Sequence, residues 1–116
     1  MFLPSHTRIY LAVGSTYMRK AINGLSILVE DRMELDPFSG HLFAFCNRRR
    51  NMVKILYWNR NGFCLWHKRL EKQSFPWPES RDDILELDTR QLSWLLEGLE
   101  PAQARAFKNL KYSTLI

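Results

Sequence analysis

Long apolar runs and cysteine are both scarce in this sequence of 116 residues. No stretch approaches the roughly 18 consecutive apolar residues that a transmembrane helix needs. Residues 1–14 are too short, and too often interrupted by polar residues and proline, to form a signal peptide. The two cysteines, Cys46 and Cys64, form neither a disulfide framework nor a paired metal motif. We therefore expect a cytoplasmic protein with free thiols and no membrane partner.

Recognisable catalytic and metal-binding motifs are also missing. The three histidines, His6, His41 and His67, lack the spacing to either cysteine that builds a zinc site. The sequence contains no glycine-rich phosphate loop, nucleophile elbow or dinucleotide-binding fingerprint. The acidic residues at 30–36 are expected to face water at a helix end and in a loop. We therefore predict a protein that is not an enzyme and that uses no metal or other cofactor.

What the sequence does contain fits one globular domain. Hydrophobic residues make up 46% of the chain, charged residues 25% and aromatic residues 13%, so a few large side chains can fill a small core. The length leaves little room for a second domain. We predict one α+β domain at residues 1–100 and a partly ordered basic tail at residues 101–116.

Helical periodicity favours a helix near the N-terminus. Apolar side chains recur at helical spacing after Thr16, a good N-cap residue, which predicts a helix at about 16–30. The opposite face of this helix carries the basic residues Arg19 and Lys20. The helix is therefore expected to be amphipathic, with a positively charged outer side.

Period-two alternation of β-favouring residues predicts three consecutive strands, at 42–46, 53–58 and 63–70. The last two are separated by Asn59-Arg60-Asn61-Gly62, which contains the Asn-Gly pair that tight hairpins prefer. A short apolar run at 9–13 favours a further buried strand or extended segment. These patterns indicate an antiparallel meander.

The C-terminal third supplies the remaining elements. Two prolines at 75–78 remove backbone donors, so this segment is either an edge strand or a packed extended arm. Residues 82–88 favour a short strand, and Thr89 is expected to cap a helix in which leucines mark one face. The predicted fold is therefore α+β, an antiparallel β-meander of about four to five strands packed with one N-terminal helix and one C-terminal helix.

Positive charge is concentrated in the meander. The whole chain has 17 basic and 12 acidic residues, a net charge of +5, whereas the interval 42–72 alone has eight basic residues and one acid. The same interval holds six aromatic residues. Basic and aromatic residues interleaved on a sheet are typical of a nucleic-acid surface. The alternative is a solvated basic face that protects a sheet edge.

Two details of this region favour contact with DNA or RNA. Lys54 is expected opposite Lys68 or Arg69 across the hairpin, and such like-charge pairing is better tolerated when a phosphate backbone supplies the countercharge. The three arginines at 48–50 are expected at a loop tip, where guanidinium groups clamp successive phosphates, unless the loop is merely solubilising. We expect these cations to form one continuous positive patch.

Short motifs, in order along the chain, resemble one bacterial family. They are Met18-Arg19-Lys20, Gly24-Leu25, Asp36-Pro37-Phe38-Ser39-Gly40, Leu42-Phe43, Phe45, Arg48-Arg49-Arg50, Val53-Lys54-Ile55-Leu56-Tyr57-Trp58, Gly62, Cys64-Leu65, Lys68-Arg69-Leu70-Glu71 and Phe75-Pro76-Trp77-Pro78. Together they resemble the small accessory protein, often called TnpB or the second open reading frame product, of bacterial insertion sequences of the sixty-six type. The resemblance covers about residues 16–98. It implies a protein that assists transposition while a separate, larger protein carries the catalytic carboxylates.

The leading hypothesis is a non-catalytic accessory protein that binds DNA, mainly at the phosphate backbone, and works with the transposase and other proteins of the same element. The predicted nucleic-acid contacts are Arg19, Lys20, Arg48, Arg49, Arg50, Lys54, Arg60, Lys68 and Arg69. Trp58 and Trp66 fit either base stacking or the core, with the core favoured.

The alternative hypothesis is a protein-interaction module that docks on the transposase or on another accessory subunit without direct DNA contact. Exposed aromatic residues would then anchor in a pocket of the partner, and arginines would line the rim of the interface. The predicted anchors are Phe38, Phe75 and Trp77.

Overall fold

Five strands form one sheet in the computed structural model of the chain, which describes residues 6–79 and 83–99. The strands, in chain order, are β1 (Ile9–Ala12), β2 (Leu42–Cys46), β3 (Met52–Asn59), β4 (Gly62–Arg69) and β5 (Ile84–Leu87). The two helices are α1 (Ile22–Asp31), between β1 and β2, and α2 (Thr89–Glu97), after β5. The predicted α+β class, with one helix towards each end, is confirmed. The predicted tail at 101–116 lies outside the described residues.

The strand order across the sheet is β4-β3-β2-β1-β5. β2, β3 and β4 form the predicted antiparallel meander. β5 is antiparallel to β1, but β1 runs parallel to β2. A parallel pair needs a long crossover between its strands, and here the crossover contains α1. The sheet is therefore mixed, and its central strand β2 is buried along its whole length.

Helix α1 covers one face of the sheet, which we call the α1 face. Leu25 and Val29 of the helix are buried against Phe43, Phe45 and Leu56 of the sheet. Burial of a large apolar side chain of this kind stabilises the fold by about 1.5–3 kcal/mol. This packing explains why the apolar residues of α1 recur at helical spacing.

Helix α1 begins at Ile22, later than the sequence pattern predicts. The backbone amide of Thr16 instead donates a 2.7 Å hydrogen bond to the carbonyl of Cys46 at the end of β2. Thr16 is therefore not the N-cap of the helix. That position is occupied by Ala21, whose side chain makes no capping hydrogen bond. Residues 15–20 form a separate segment attached to the sheet.

Helix α2 covers the opposite face, the α2 face, where Leu92 and Leu95 are buried. Its N-cap is Asp88 and not the predicted Thr89. The Asp88 carboxylate accepts a 2.7 Å hydrogen bond from the backbone amide of Gln91, whose side-chain oxygen accepts one of 2.8 Å from the Asp88 amide. This reciprocal capping box defines where the helix starts. Neither α1 nor α2, the helices of the described residues, has the length and apolarity needed to cross a membrane.

Residues 75–78 form a packed extended arm, one of the two forms that their prolines favour. Phe75 is 1% exposed and Trp77 is 2% exposed, and both belong to the core on the α2 face. The indole Nε1 of Trp77 donates a 2.9 Å hydrogen bond to the carbonyl of Ala12. The expectation that Phe75 and Trp77 are exposed anchors for a partner is therefore wrong, because both side chains are already used to fill the core.

Candidate nucleic-acid interface

The connection between β2 and β3 is a tight turn organised by one side chain. Oδ1 of Asn47 accepts hydrogen bonds of 3.1 Å from the backbone amides of both Asn51 and Met52. Nδ2 of Asn47 donates a 2.7 Å hydrogen bond to Oδ1 of Asn51. Asparagine is common in turns because its side chain can satisfy backbone groups in this way. The turn presents Arg48 and Arg49 at its tip, where both are exposed.

The third arginine of the turn is directed away from the tip. The carbonyl of Arg50 accepts a 2.7 Å hydrogen bond from the amide of Phe75. Its guanidinium group forms an ion pair with the Glu79 carboxylate, and its side chain is 24% exposed. These contacts attach the turn to the arm at 75–78. They also give the Arg50 side chain a structural partner within the protein.

Lys54 also acts within the fold. Its ammonium group donates hydrogen bonds of 2.7 Å to the carbonyl of Met18 and 3.0 Å to the carbonyl of Lys20. The side chain rises from the α1 face of β3, opposite Phe45 of β2. Lys54 therefore holds the segment 15–20 against the sheet.

An open groove of about 660 Å³ lies between this segment and the β2–β3 turn. Its lining includes Thr16, Tyr17 and Arg19 on one side and Arg48, Arg49 and Met52 on the other. Among the described residues that line the groove, three are arginines and none is acidic. Guanidinium groups bind phosphate and carboxylate oxygens through paired hydrogen bonds, so the groove suits an anionic ligand.

Tyr17 and Thr16 add two unusual features to the groove. The Tyr17 side chain is 63% exposed. The guanidinium carbon of Arg19 lies 5.7 Å from the centroid of the Tyr17 ring, within the range of a cation–π contact. The hydroxyl of Thr16 is buried and makes no hydrogen bond to any residue in the described part of the chain. A buried hydroxyl of this kind is a donor that remains to be satisfied.

The predicted register of the β3–β4 hairpin is wrong. Lys54 lies opposite His67, and neither Lys68 nor Arg69 is its partner. The two-residue turn begins at Arg60, one position before the Asn-Gly pair, and Arg60 itself adopts φ 57°. A slip of one residue moves a side chain to the other face of a sheet, which places Lys68 on the α2 face.

The predicted cations are divided between both faces and both ends of the sheet. Lys68 donates a 2.9 Å hydrogen bond to the carbonyl of Leu96 in the last turn of α2, and Arg69 pairs with Glu71 at 3.2 Å. Arg60 lies at the far end of β3 from the groove, roughly 20 Å away by the rise of a strand. The expected single continuous patch is therefore wrong. The predicted cations that line the groove are Arg19, Arg48 and Arg49.

A cluster of three aromatic rings lies at the same far end of the sheet. The Phe38 ring centroid is 5.0 Å from that of Trp58 and 5.1 Å from that of Phe63, and the Trp58 and Phe63 centroids are 5.0 Å apart. Phe38 is 53% exposed, so it remains the one exposed member of the three predicted protein-interaction anchors. Trp66 packs against the core on the α2 face.

Sequence reasoning missed Tyr17, Thr16 and Asn47 as residues of the groove. Helical periodicity assigned Tyr17 and Thr16 to a helix, and no spacing connects them to a turn about 30 residues later. Asn47 carried a usable signal, since asparagine next to a strand end is typical of a turn.

The described residues contain no group of three or more histidine, cysteine, aspartate or glutamate side chains placed to hold a metal ion. Burial raises the pKa of the Cys46 thiol to about 12. This thiol therefore stays protonated and unreactive near neutral pH. Burial also raises the pKa of Tyr57, and the neighbouring Cys64 adds to that shift.

One family model and two curated relatives match most of this chain. A family model described as IS66 Orf2 like protein matches residues 7–106. The uncharacterized protein y4hO of Sinorhizobium fredii is 34% identical over 100 residues, which cover 84% of this chain and 87% of that protein. The uncharacterized protein y4jC of the same organism is 32% identical over 93 residues, which cover 80% of each chain. No solved structure gives a significant match.

Proposed function

The chain belongs to the IS66 Orf2-like family, and from this premise we propose that it is a non-catalytic accessory protein that binds DNA through the groove beside the β2–β3 turn. Membership of the family supports a role as an accessory protein of insertion-sequence transposition. We propose that it acts in the bacterial cytoplasm, together with the transposase of the same element.

The convergence of three arginines on one groove carries this proposal. Arg48 and Arg49 are exposed at the tip of a turn that Asn47 holds rigid, and Arg19 lies on the opposite side of the groove. Bringing like charges together is unfavourable without a ligand, and a polyanion supplies the missing countercharge. Because Arg48 and Arg49 are adjacent in the chain, they suit neighbouring phosphates of one strand.

The contacts are expected to be made to the phosphate backbone. Helices that read bases enter the major groove of DNA, whereas this site consists of a turn and a non-helical segment. Phosphate contacts orient a protein on DNA but do not distinguish one sequence from another. Sequence recognition in the transposition complex would then come from another component.

A direct test compares the wild-type protein with the double variant Arg48→Ala/Arg49→Ala. Each is titrated into a fluorescently labelled DNA duplex taken from the end of the element, at low salt, and anisotropy is measured. Loss of two charge-assisted hydrogen bonds should weaken binding by at least about tenfold. The circular dichroism spectrum should not change, because both side chains are exposed.

Arg90→Ala is the matched control. Arg90 is also an exposed arginine, but it lies in the first turn of α2, on the other side of the sheet. Its removal should leave DNA affinity unchanged. Equal losses in the control and the double variant would contradict a localised site, and failure of the wild-type protein to bind DNA would contradict the proposed function.

A second candidate function, docking on the transposase, is favoured by the aromatic cluster at the far end of the sheet. Phe38 is 53% exposed and rests edge-on against Trp58. Aromatic residues that are held in place but not covered are typical anchors of protein interfaces. This surface is separate from the groove, so the two functions are compatible.

A pull-down with the purified transposase tests the second function. Phe38→Ala should reduce capture of the transposase, whereas Ile27→Ala, which removes a 55% exposed side chain from α1, should not. The double variant Arg48→Ala/Arg49→Ala should retain capture. This assignment would be contradicted if the double arginine variant lost capture of the transposase and Phe38→Ala retained it.

A further inference from the structure

We propose that the groove binds single-stranded DNA, with one unpaired base stacked on the ring of Tyr17 and the flanking phosphates bound by Arg48 and Arg49. This inference rests on the proposed DNA binding and goes further, because it names the form of DNA. It assigns Tyr17 as the residue that distinguishes a single strand from a duplex.

The exposure of Tyr17 is the first observation. At 63% it is the most exposed of the large hydrophobic side chains among the described residues. Tyr17 is one of the residues that line the groove, and the guanidinium group of Arg19 lies over its ring, 5.7 Å from the centroid. A flat ring in water next to cations is the arrangement by which proteins bind single strands, since an aromatic side chain stacks on any base and the cations bind its phosphates.

The segment that carries Tyr17 is fixed in place, which is the second observation. The preceding residue, Thr16, donates its amide to the carbonyl of Cys46 at 2.7 Å. The next residue, Met18, has its carbonyl bound by the ammonium group of Lys54 at 2.7 Å. The ring is therefore presented by a backbone that is hydrogen-bonded to the sheet on both sides. A site organised before binding loses less conformational entropy when the ligand arrives.

The opposite side of the groove is also organised before binding. Asn47 binds the backbone amides of Asn51 and Met52 and so fixes the turn that carries Arg48 and Arg49. Arginines on both sides of the groove and an aromatic ring on one of them match the alternating phosphates and bases of an extended strand.

The geometry favours a single strand over a duplex for a simple reason. In a duplex both faces of each base are covered by its neighbours, so a tyrosine ring can stack only if the helix is opened. The groove volume of about 660 Å³ is in the range of sites for small molecules, roughly 300–1,000 Å³. It therefore suits a short length of one strand.

The test uses three fluorescent ligands of equal length: an oligothymidylate, the same backbone without bases, and a DNA duplex. Binding of the full-length wild-type protein, Tyr17→Ala and Tyr17→Phe is measured by anisotropy at low salt. The wild-type protein should bind the oligothymidylate most tightly. Tyr17→Ala should weaken that binding by about five- to 150-fold, the range expected for loss of one stacked base. Tyr17→Phe should keep the affinity, because it keeps the ring.

Matched controls separate stacking from charge. Tyr17→Ala should leave the affinity for the abasic backbone and for the duplex unchanged. Ile27→Ala, which alters another exposed side chain, should change the affinity for none of the three ligands. An oligonucleotide containing 5-bromodeoxyuridine should also cross-link to Tyr17 of the unaltered protein under ultraviolet light. This second readout is independent of whether the alanine variant folds.

The outcomes distinguish this inference from the proposed function. Three results would each overturn the single-strand assignment. The wild-type protein could bind the duplex as tightly as the oligothymidylate, Tyr17→Ala could leave the affinity for the oligothymidylate unchanged, or the cross-link could form outside the groove. The proposed function would survive those results if Arg48→Ala/Arg49→Ala still weakened duplex binding. If none of the three ligands binds, both proposals fail together.

Discussion

The ammonium group of Lys54 donates a 2.7 Å hydrogen bond to the backbone carbonyl of Met18, and so connects the centre of the sheet to the segment that carries Tyr17. A second bond of 3.0 Å reaches the carbonyl of Lys20. Lys54, whose charge predicts a phosphate contact, is therefore a structural support for the segment that forms one side of the groove.

Lys54→Met should lower the free energy of unfolding by about 2 kcal/mol, because two backbone carbonyls lose a charged donor while the aliphatic stem is kept. Urea unfolding followed by tryptophan fluorescence measures the loss. Lys72→Met, at an exposed position, is the control and should be close to neutral. If Lys54→Met were as stable as the wild-type protein, the structural role of Lys54 would be contradicted, and its ammonium group would count as a free surface cation.

Asn47→Ala should destabilise the fold by about 1–2 kcal/mol, because the amides of Asn51 and Met52 lose their acceptor. DNA affinity should fall as well, since the turn no longer holds Arg48 and Arg49 in place. Thermal unfolding and DNA titration measure the two effects. Asn23→Ala, at an exposed position of α1, should lower neither. If Asn47→Ala had the stability and DNA affinity of the wild-type protein, the turn would form without the hydrogen bonds of the Asn47 side chain.

Gly98→Ala should be the most harmful of three glycine substitutions. Gly98 combines φ 80° with ψ 173°, a region that only glycine occupies readily, and a Cβ there would lie 2.7 Å from Cδ1 of Leu70. We expect a loss of about 1–3 kcal/mol in the free energy of unfolding. Gly14 also has a positive φ, but a Cβ there would meet open space, so Gly14→Ala should lower the free energy of unfolding by less than Gly98→Ala. Gly62 has neither a positive φ nor a close neighbour, so Gly62→Ala should cause the smallest loss. Equal losses at all three positions would contradict this account.

The salt dependence of DNA affinity measures the number of phosphates that the groove contacts. For duplex DNA, each neutralised phosphate contributes about 0.9 to the slope of log affinity against log salt. Arg48→Ala/Arg49→Ala should therefore reduce the slope by about 1.8. Arg60→Ala should leave the slope unchanged, because Arg60 lies at the other end of the hairpin. A reduction caused by Arg60→Ala would mean that the DNA extends along the whole hairpin.

The two cysteines should differ in reactivity. Cys46 is fully buried and burial raises the pKa of its thiol from 9.0 to about 12, whereas Cys64 is half-buried. Iodoacetamide at pH 8 should modify Cys64 first and Cys46 only after unfolding, as mass spectrometry of the labelled peptides will show.

The same pKa shift predicts how stability changes with pH. The folded state keeps the Cys46 proton in a range where the unfolded state has lost it, so the free energy of unfolding should fall as pH rises from about 9 towards 12. Cys46→Ala should remove this part of the dependence, and Cys64→Ala should retain it. Rapid labelling of Cys46 in the native protein would contradict both expectations.

Patterns within short stretches of the sequence predicted those strands and helices whose formation depends on residues within the same stretch. The alternating residues of β3 and β4 and the leucines of α2 each report burial on one side of one element. The beginning of α1 was mispredicted because tertiary hydrogen bonds from Thr16 and Lys54 overrode helical propensity at 15–20.

The candidate site was only partly predictable. The arginines of the β2–β3 turn were identified from charge alone. Arg60 is separated from them by the length of the hairpin, whereas the face on which Lys68 lies depended on the hairpin register, which a single residue of turn geometry reversed. The groove itself joins two segments that are distant in sequence, and no pattern within either segment indicates the other.

The position of β1 between β2 and β5 has a consequence for biosynthesis. Ile9 pairs with Leu42 on one side and with Leu87 on the other. A ribosome adding about 5–20 residues per second needs on the order of 4–16 s to make the chain between Ile9 and Leu87. The β2–β3–β4 meander does not need β5 to assemble, because its contacts are short-range. Until β5 has been made, the edge of β1 that β5 covers stays unpaired, and it can contact chaperones and other nascent chains.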